Sequence, residues 1–296
     1  MKSELRRIAL ADLGVLRVAG ADAVRFLQGQ LSNDLTRLGP ERSLLAGYHT
    51  PQGRTIALVR LISLGEDAIL AILPRELVAA VAQRLAKYVL RSKVTLADAS
   101  AQWHIEGLAA PAATDALPVP THAQRHDGAT VLVCVGEEPA RWLSLAPGAG
   151  SAASAADREW WRALDVRAGM PQVYAATSEQ FVAQMLNLDA IGAIAFDKGC
   201  YTGQEVIARA HYRGRVKRRL QRFASRGALS LSPGDGGTLA DGRSFSVVEA
   251  AQRGDGRCEF LAVAPLAGAQ PESSVPAEGA HPVDAEPLAL PYAIAD

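Results

Sequence analysis

The densest run of chemically capable residues is DKGCYTGQEVIARAHYRGRVKRRL, Asp197 to Leu220. Cys200 lies between Gly199 and Gly203, just ahead of a segment with helical character. The positive end of a helix dipole, with Lys198 two residues away, favours thiolate over thiol, and the thiolate is the reactive form. The two glycines allow the backbone to turn closely around a ligand. The competing reading of Cys200 is a small buried hydrophobe in a glycine-rich turn. Six of the eleven residues from 209 to 219 are Lys or Arg. Arg209, His211 and Arg213 fall in the last turn of the expected helix, where cations offset its negative end. That leaves Arg215, Lys217, Arg218 and Arg219 for an anion such as phosphate, RNA or a carboxylate-rich small molecule, or for a solvated basic face.

Other chemistries fail on spacing. No GxxxxGK[ST] or HExxH occurs, no GxGxxG follows a strand, and GxSxG is absent. Cys134, Cys200 and Cys258 form no CxxC pair, so neither a disulfide framework nor a thiolate metal site is expected. Lys plus Arg and Asp plus Glu both number 31, so electrostatic function must be local. The opening MKSELRRIALADLGVLRVAG lacks the apolar core of a secretory signal, and no 18-residue window is free of polar residues. The expectation is a soluble protein of a reducing cytoplasm, with two or three domains in 296 residues.

The elements that must position this segment follow from periodicity. Thr202 and Glu205 fit a capping box, Tyr201 and Val206 a hydrophobic staple, and Gly214 a helix terminator. Upstream, GVLRVAG alternates like a strand, and ADAVRFLQGQLSNDL places Val24, Leu27 and Leu31 on one helical face behind an Asp22 cap. RTIALVRLIS and AILAIL flank the turn LGED as a hairpin. Pro74 opens a helix carrying Leu77, Val81, Leu85 and Tyr88, and KVTLAD adds a strand, so the order ββαβ indicates an α+β layer. AQWHIEGLAA, ATVLVCVGE and ARWLSLA read as strands. A helix follows in ADREWWRALDVR, ended by Gly169 and Pro171; its Trp160 and Trp161 stand about 100° apart, so only one points squarely at a core. After Gly214, short pieces such as SFSVVEAA and CEFLAVAP indicate a separate C-terminal β domain, with long loops in GAQPESSVPAEGAHPVDAEP.

KGCYTGQE followed by ARAHYRGRVKRRL resembles the signature of the YgfZ family of folate-binding proteins, relatives of the aminomethyltransferase (T protein) of the glycine cleavage system. GADAVRFLQGQLSNDL, PQGR, LAKYVLRSKV, VRAGMP and FVAQMLNLDAIGAIAFDKGCYTGQE resemble further family segments, so the likeness spans nearly the whole chain. It implies an α+β fold of two interlocked ferredoxin-like domains plus a C-terminal β-barrel around a central opening for tetrahydrofolate. The expected division is 1–50 with 100–214 as a discontinuous first domain, 51–99 inserted, and 215–296 as the barrel. It also implies a part in assembly or repair of iron-sulfur clusters, including those of tRNA-modifying enzymes, with Cys200 as the functional thiol. Folate and iron-sulfur assembly factors or client enzymes are the partners so implied, with neither a membrane nor direct nucleic-acid binding.

For tetrahydrofolate or a one-carbon derivative, Trp161 offers a stacking surface, while Gln184 or Asn187 meets the pterin edge. Arg209, Arg213, Lys217 and Arg218 form a basic lip for the glutamate tail. Lys198, Gly199, Tyr201, Gly203 and Glu205 complete the motif's contribution. The chain departs from its relatives at several positions. Ala57 and Leu58 stand where the transferase has acidic residues, Leu13 where some relatives have tryptophan, and Arg167 where many have an acid that Asp165 or Glu159 would replace; Ala193 and Ala195 precede the lysine. Two alternatives are a folate-dependent aminomethyl transferase or demethylase, which those apolar residues disfavour, and an RNA-binding module, whose only aromatic residues beside the arginines would be Tyr201 and Tyr212.

Overall fold

A computed structural model describes residues 5–65, 67–112, 116–214, 216–266 and 282–294. The chain opens with β1 (Arg6–Ala9), β2 (Leu13–Ala19) and α1 (Ala23–Gln28), then β3 (Leu44–His49), β4 (Thr55–Ser63), β5 (Ala68–Pro74), α2 (Arg75–Ala86) and β6 (Thr95–Asp98). It continues through β7 (Trp103–Ala110), β8 (Gln124–Asp127), β9 (Thr130–Glu137), β10 (Ala140–Pro147), α3 (Ala155–Arg167) and α4 (Gln204–Arg213). It closes with β11 (Arg218–Ser225), β12 (Gly236–Leu239), β13 (Ser244–Gln252), β14 (Cys258–Pro265), β15 (Pro282–Val283) and β16 (Ala285–Leu288).

These strands form three sheets, ordered β1-β7-β10-β9-β8, β3-β4-β5-β2-β6 and, as a nearly closed barrel, β15-β12-β13-β14-β11-β16. All nine residues of β4 are buried, because its sheet is covered on both faces. One face packs Val59 and Leu61 with Leu77, Val81 and Leu85 of α2. The other packs Val15, Ile62, Leu70 and Ile72 against Ile105, Val133 and Leu143 of the first sheet and Trp161 of α3. Gly107 makes that approach possible: a Cβ there would stand 2.5 Å from the Trp161 ring. Trp161 is buried, whereas Trp160 lies under the Arg6 guanidinium at 4.0 Å.

The hairpin, the strands singled out in the sequence and the C-terminal β region all appear, and several expectations are corrected. The break at residue 50 runs through a sheet, since β3 pairs with β4 and β2 with β5; the sheets change between β6 and β7. The first helix stops at Gln28, so Leu31 packs from outside it and Val24 is exposed. Asp22 makes no side-chain cap; its carboxylate accepts the Lys93 N–H instead, at 2.8 Å. α2 ends at Ala86, which leaves Tyr88 exposed beyond the periodic stripe. Of the expected late loop, residues 282–283 form β15 and 285–287 fall in β16, while 268–281, like Arg215 and the Glu66 of LGED, lie outside the described residues.

The barrel is fastened by a buried cation. Arg219 on β11 pairs with both oxygens of Asp189, at 2.9 and 3.0 Å, and donates to the Gln184 carbonyl at 3.1 Å. Removing one member of such a pair strands the other charge, at a cost of about 3 kcal/mol. Arg219→Leu should therefore lower the urea midpoint markedly, and Arg219→Leu/Asp189→Leu should recover much of the loss. Equal destabilisation by the single and double variants would contradict this account.

Candidate functional site

A cleft with a cavity volume of about 110 Å³ opens between the first two sheets and α3. Its apolar walls are Leu13, Leu45, Leu58, Ile72, Val135, Leu143 and the face of Trp161. Its polar groups are Asp12, Arg60, Arg158, Arg162, Asp165, Gln172 and Tyr174. The pleat explains the apolar side: Leu58 and Arg60 lie two apart on β4, opposite Gly47 and Leu45 on β3, so they share one face.

Arg141 Nη1 donates to Asp165 Oδ1 at 2.5 Å. Burial pushes its carboxyl above the usual range, and the Arg141 guanidinium opposes that shift. Tyr174 donates its hydroxyl to Glu249 at 2.5 Å, so β13 of the barrel reaches the cleft wall. Burial raises Glu249 to about 7 against the opposing Tyr174 hydrogen bond and Arg162 charge. Arg162 Nη1 lies 3.5 Å from Glu159, whose carboxylate also accepts the Gln252 N–H.

The KGCYTGQE segment does not line this cleft. Lys198 turns inward, and its ammonium donates to the carbonyls of Gln28, Leu31 and Asn33 at 2.7, 2.6 and 2.9 Å. All three ammonium donors are thereby used. Burial lowers its pKa to about 8, with Asp34 opposing, and Nζ lies 4.9 Å from the Tyr201 ring centroid. Anchored on this cage, Cys200 is exposed and free. Gly203 has φ +84°, and a Cβ there would stand 2.5 Å from the Thr50 carbonyl oxygen, so glycine is required. Gly199 has open space around it and no such constraint.

Several sequence expectations change here. Gly203 itself is the N-cap, with no side-chain cap, so Thr202 and Glu205 form no capping box; Glu205 is exposed in the first turn. Tyr201 is buried, whereas Val206 lies over Gly53 in the PQGR turn. Gln184 and Asn187 are buried fasteners: Gln184 donates to the Ile207 carbonyl at 2.7 Å and Asn187 to that of Leu220 at 3.0 Å. The basic lip does not border the cleft. Arg209 and Arg213 are exposed on α4, Lys217 holds Leu266 through its carbonyl, and Arg218 reaches Ser244 and the Val263 carbonyl. Among the residues expected to contact the folate, Trp161 lines the cleft, as does Asp165, the substitute for the relatives' acid; Gln184, Asn187, the KGCYTGQE residues and the basic lip do not.

Leu13 and Leu58 line the cleft, as does Asp165; Arg167 turns to Glu259 at 3.9 Å. Ala57 is fully buried. Ala193 and Ala195 are buried beside Ser32, which accepts from Ala195 N–H and donates to the Ala193 carbonyl. The sequence reading missed Arg60 and Glu249, although each is a lone charge in an apolar strand, a signal in itself. It also missed the stack of Phe196 on His211, 3.8 Å between centroids, with Tyr212 edge-on. Among the described residues no cluster of three His, Cys, Asp or Glu side chains is arranged to hold a metal, and no helix is long and apolar enough to cross a membrane.

His49, whose Cβ abuts Gly203, is 1% exposed with both ring nitrogens unpartnered. Burial alone lowers its pKa to about 3. Its folded value lies below its unfolded value, so between pH 6.5 and about 3 the unfolded chain binds a proton that the folded chain refuses. Stability should fall with acid in that window, by about 1.4 kcal/mol per pH unit from this group. His49→Leu should flatten the slope of unfolding free energy against pH by that amount; an unchanged slope would show that the imidazole is not held neutral.

No family model matches the chain. It is 33% identical to "tRNA-modifying protein YgfZ" of Cronobacter sakazakii, over 98% of this chain and 94% of that protein. It is also 33% identical to the protein of the same name from an Enterobacter strain, over 86% and 83%. Among solved structures, glycine cleavage system aminomethyltransferase T from Bartonella henselae superposes with a TM-score of 0.69 at 12% identity, covering 90% of this chain and 79% of that one. The fold is thus the aminomethyltransferase fold, and by its near-full-length identity to those relatives the chain belongs to the YgfZ family.

Proposed function

We propose that the chain binds a reduced folate in the cleft and supports tRNA modification as an accessory factor, through iron-sulfur cluster assembly or repair in the modifying enzymes. The observation that carries this reading is the cleft itself, which offers an apolar slot beside Trp161 with Asp165 at its edge. A pterin is flat and amphipathic, and the lining is complementary to it: Leu13, Leu58 and Trp161 supply apolar surface, and Asp165 retains Oδ2 for the ring's N–H groups. The fold shared with an aminomethyltransferase and the tRNA-modifying name of the relatives support the two halves of the reading.

Tetrahydrofolate, when bound, supplies a carrier for one-carbon groups. The chain's own residues bind it and exclude water. Ala57 and Leu58 offer no group to move a proton, so binding rather than one-carbon transfer is the reading favoured here. Cys200 is exposed on a fixed loop and is the thiol proposed to act on a partner protein.

Anaerobic calorimetric titration with tetrahydrofolate should show saturable binding, weakened at least tenfold, about 1.4 kcal/mol, by Trp161→Ala. Cys200→Ser should bind equally well yet fail to restore tRNA modification in cells lacking the chain. Unchanged affinity in Trp161→Ala would place the folate elsewhere, and full restoration by Cys200→Ser would remove the thiol role.

A further inference from the structure

The floor of the cleft holds a cation that the protein leaves without a carboxylate. Arg60 lies mid-strand in β4, between Leu45 of β3 and Ile72 of β5, and is 7% exposed. Its single side-chain hydrogen bond among the described residues runs from Nη1 to His122 Nδ1, at 3.1 Å. Burial, with Arg60 and Arg42 nearby, holds His122 down to about 4, so at neutral pH its ring brings no charge of either sign. Arg141, itself 1% exposed, adds a second guanidinium to the same neighbourhood. One carboxylate, Asp165, faces both and is bonded to Arg141. Burial and the Arg141 charge lower Arg60 to about 10, which still leaves it cationic at neutral pH.

The other buried cations each have a carboxylate or backbone carbonyls to meet their charge, although Nε of Arg141 and of Arg222 has no hydrogen-bond partner. Lys198 has three carbonyls, Arg219 has Asp189 and the Gln184 carbonyl, and Arg222 has Glu259 at 2.8 Å. A guanidinium carries five N–H donors, and with one of them bonded to His122, Arg60 keeps donors for an acceptor in the cleft it lines. Arg60 lines the free space of the cleft, so that acceptor has room to enter beside Leu58.

We propose that Arg60 forms a carboxylate-binding subsite at the floor of the cleft, engaging an anionic group of the bound ligand. The proposal rests on the cleft being a ligand site, not on that ligand being a folate. The carboxylate has two possible sources, the glutamate tail of a folate or a separate small carboxylate bound beside a pterin. The planar fork of the guanidinium suits either, since it meets a carboxylate with two parallel N–H bonds.

Calorimetry separates the sources with three probes, tetrahydrofolate, 6-methyltetrahydropterin and acetate, on the wild-type chain and Arg60→Met. Tetrahydrofolate weakened at least tenfold by Arg60→Met, with 6-methyltetrahydropterin unaffected, assigns the subsite to the folate tail. Acetate binding that is lost in Arg60→Met, with tetrahydrofolate unaffected, assigns it to a separate carboxylate. Acetate binding with neither pterin compound bound keeps the subsite and removes the folate reading. If no probe distinguishes Arg60→Met from wild type, the proposal is overturned. A second readout needs no ligand. A cation kept for binding costs stability, so Arg60→Met should hold or raise the urea midpoint. A fall as large as that of Arg219→Leu would make Arg60 a structural residue and equally overturn the proposal.

Discussion

A cation withdrawn from water must find acceptors, and this constraint decides how the parts of the molecule are joined. Lys198 meets it with three backbone carbonyls between Gln28 and Asn33, tying the cysteine loop to the N-terminal segment. Arg219 meets it with Asp189 and the Gln184 carbonyl, tying the barrel to the segment before α4. Arg141 meets it with Asp165, tying α3 to the first sheet. Each junction is directional, because a guanidinium or ammonium held at fixed acceptors also fixes the orientation of what it joins. Arg60 differs in having one bonded partner, the neutral His122, and in facing the open cleft.

The hairpin of β3 and β4 links the cleft to the cysteine loop. Along its length Leu45, Leu58 and Arg60 face the cleft. At its turn, Thr50 and Gly53 receive Gly203 and Val206, so the start of α4 rests on the same element. Asn33 reinforces the arrangement by donating to the carbonyls of Leu45 and Gly192, at 2.7 and 2.9 Å. The cleft wall and the start of the helix after Cys200 therefore rest on one strand pair. The barrel takes part through Glu249, which holds Tyr174 at the cleft wall.

Much of the fold is legible in the sequence because period and turn chemistry are local signals. TIALVRLIS and AILAIL announce their hairpin, and α2 keeps Leu77, Val81 and Leu85 on one face. The illegible parts depend on contacts distant in sequence. Thr202 and Glu205 have the right spacing for a capping box, but the close approach of Gly203 to Thr50 selects a left-handed cap that the spacing cannot foretell. The same holds at the site. Trp161 is identifiable as a cleft residue from its place on α3 and the family likeness, yet the arginine cluster at 209–219 draws attention away from Arg60, Arg158 and Arg162, which the fold actually brings to the cleft. Lys198 looks like a free charge beside a thiol and is instead fully engaged by carbonyls 165 to 170 positions away.

The most direct test of the central claim is a crystal structure of the chain grown anaerobically with tetrahydrofolate. The account predicts the pterin within the cleft beside Leu58 and Trp161. Density for the ligand along α4, with the cleft filled only by water, would contradict it.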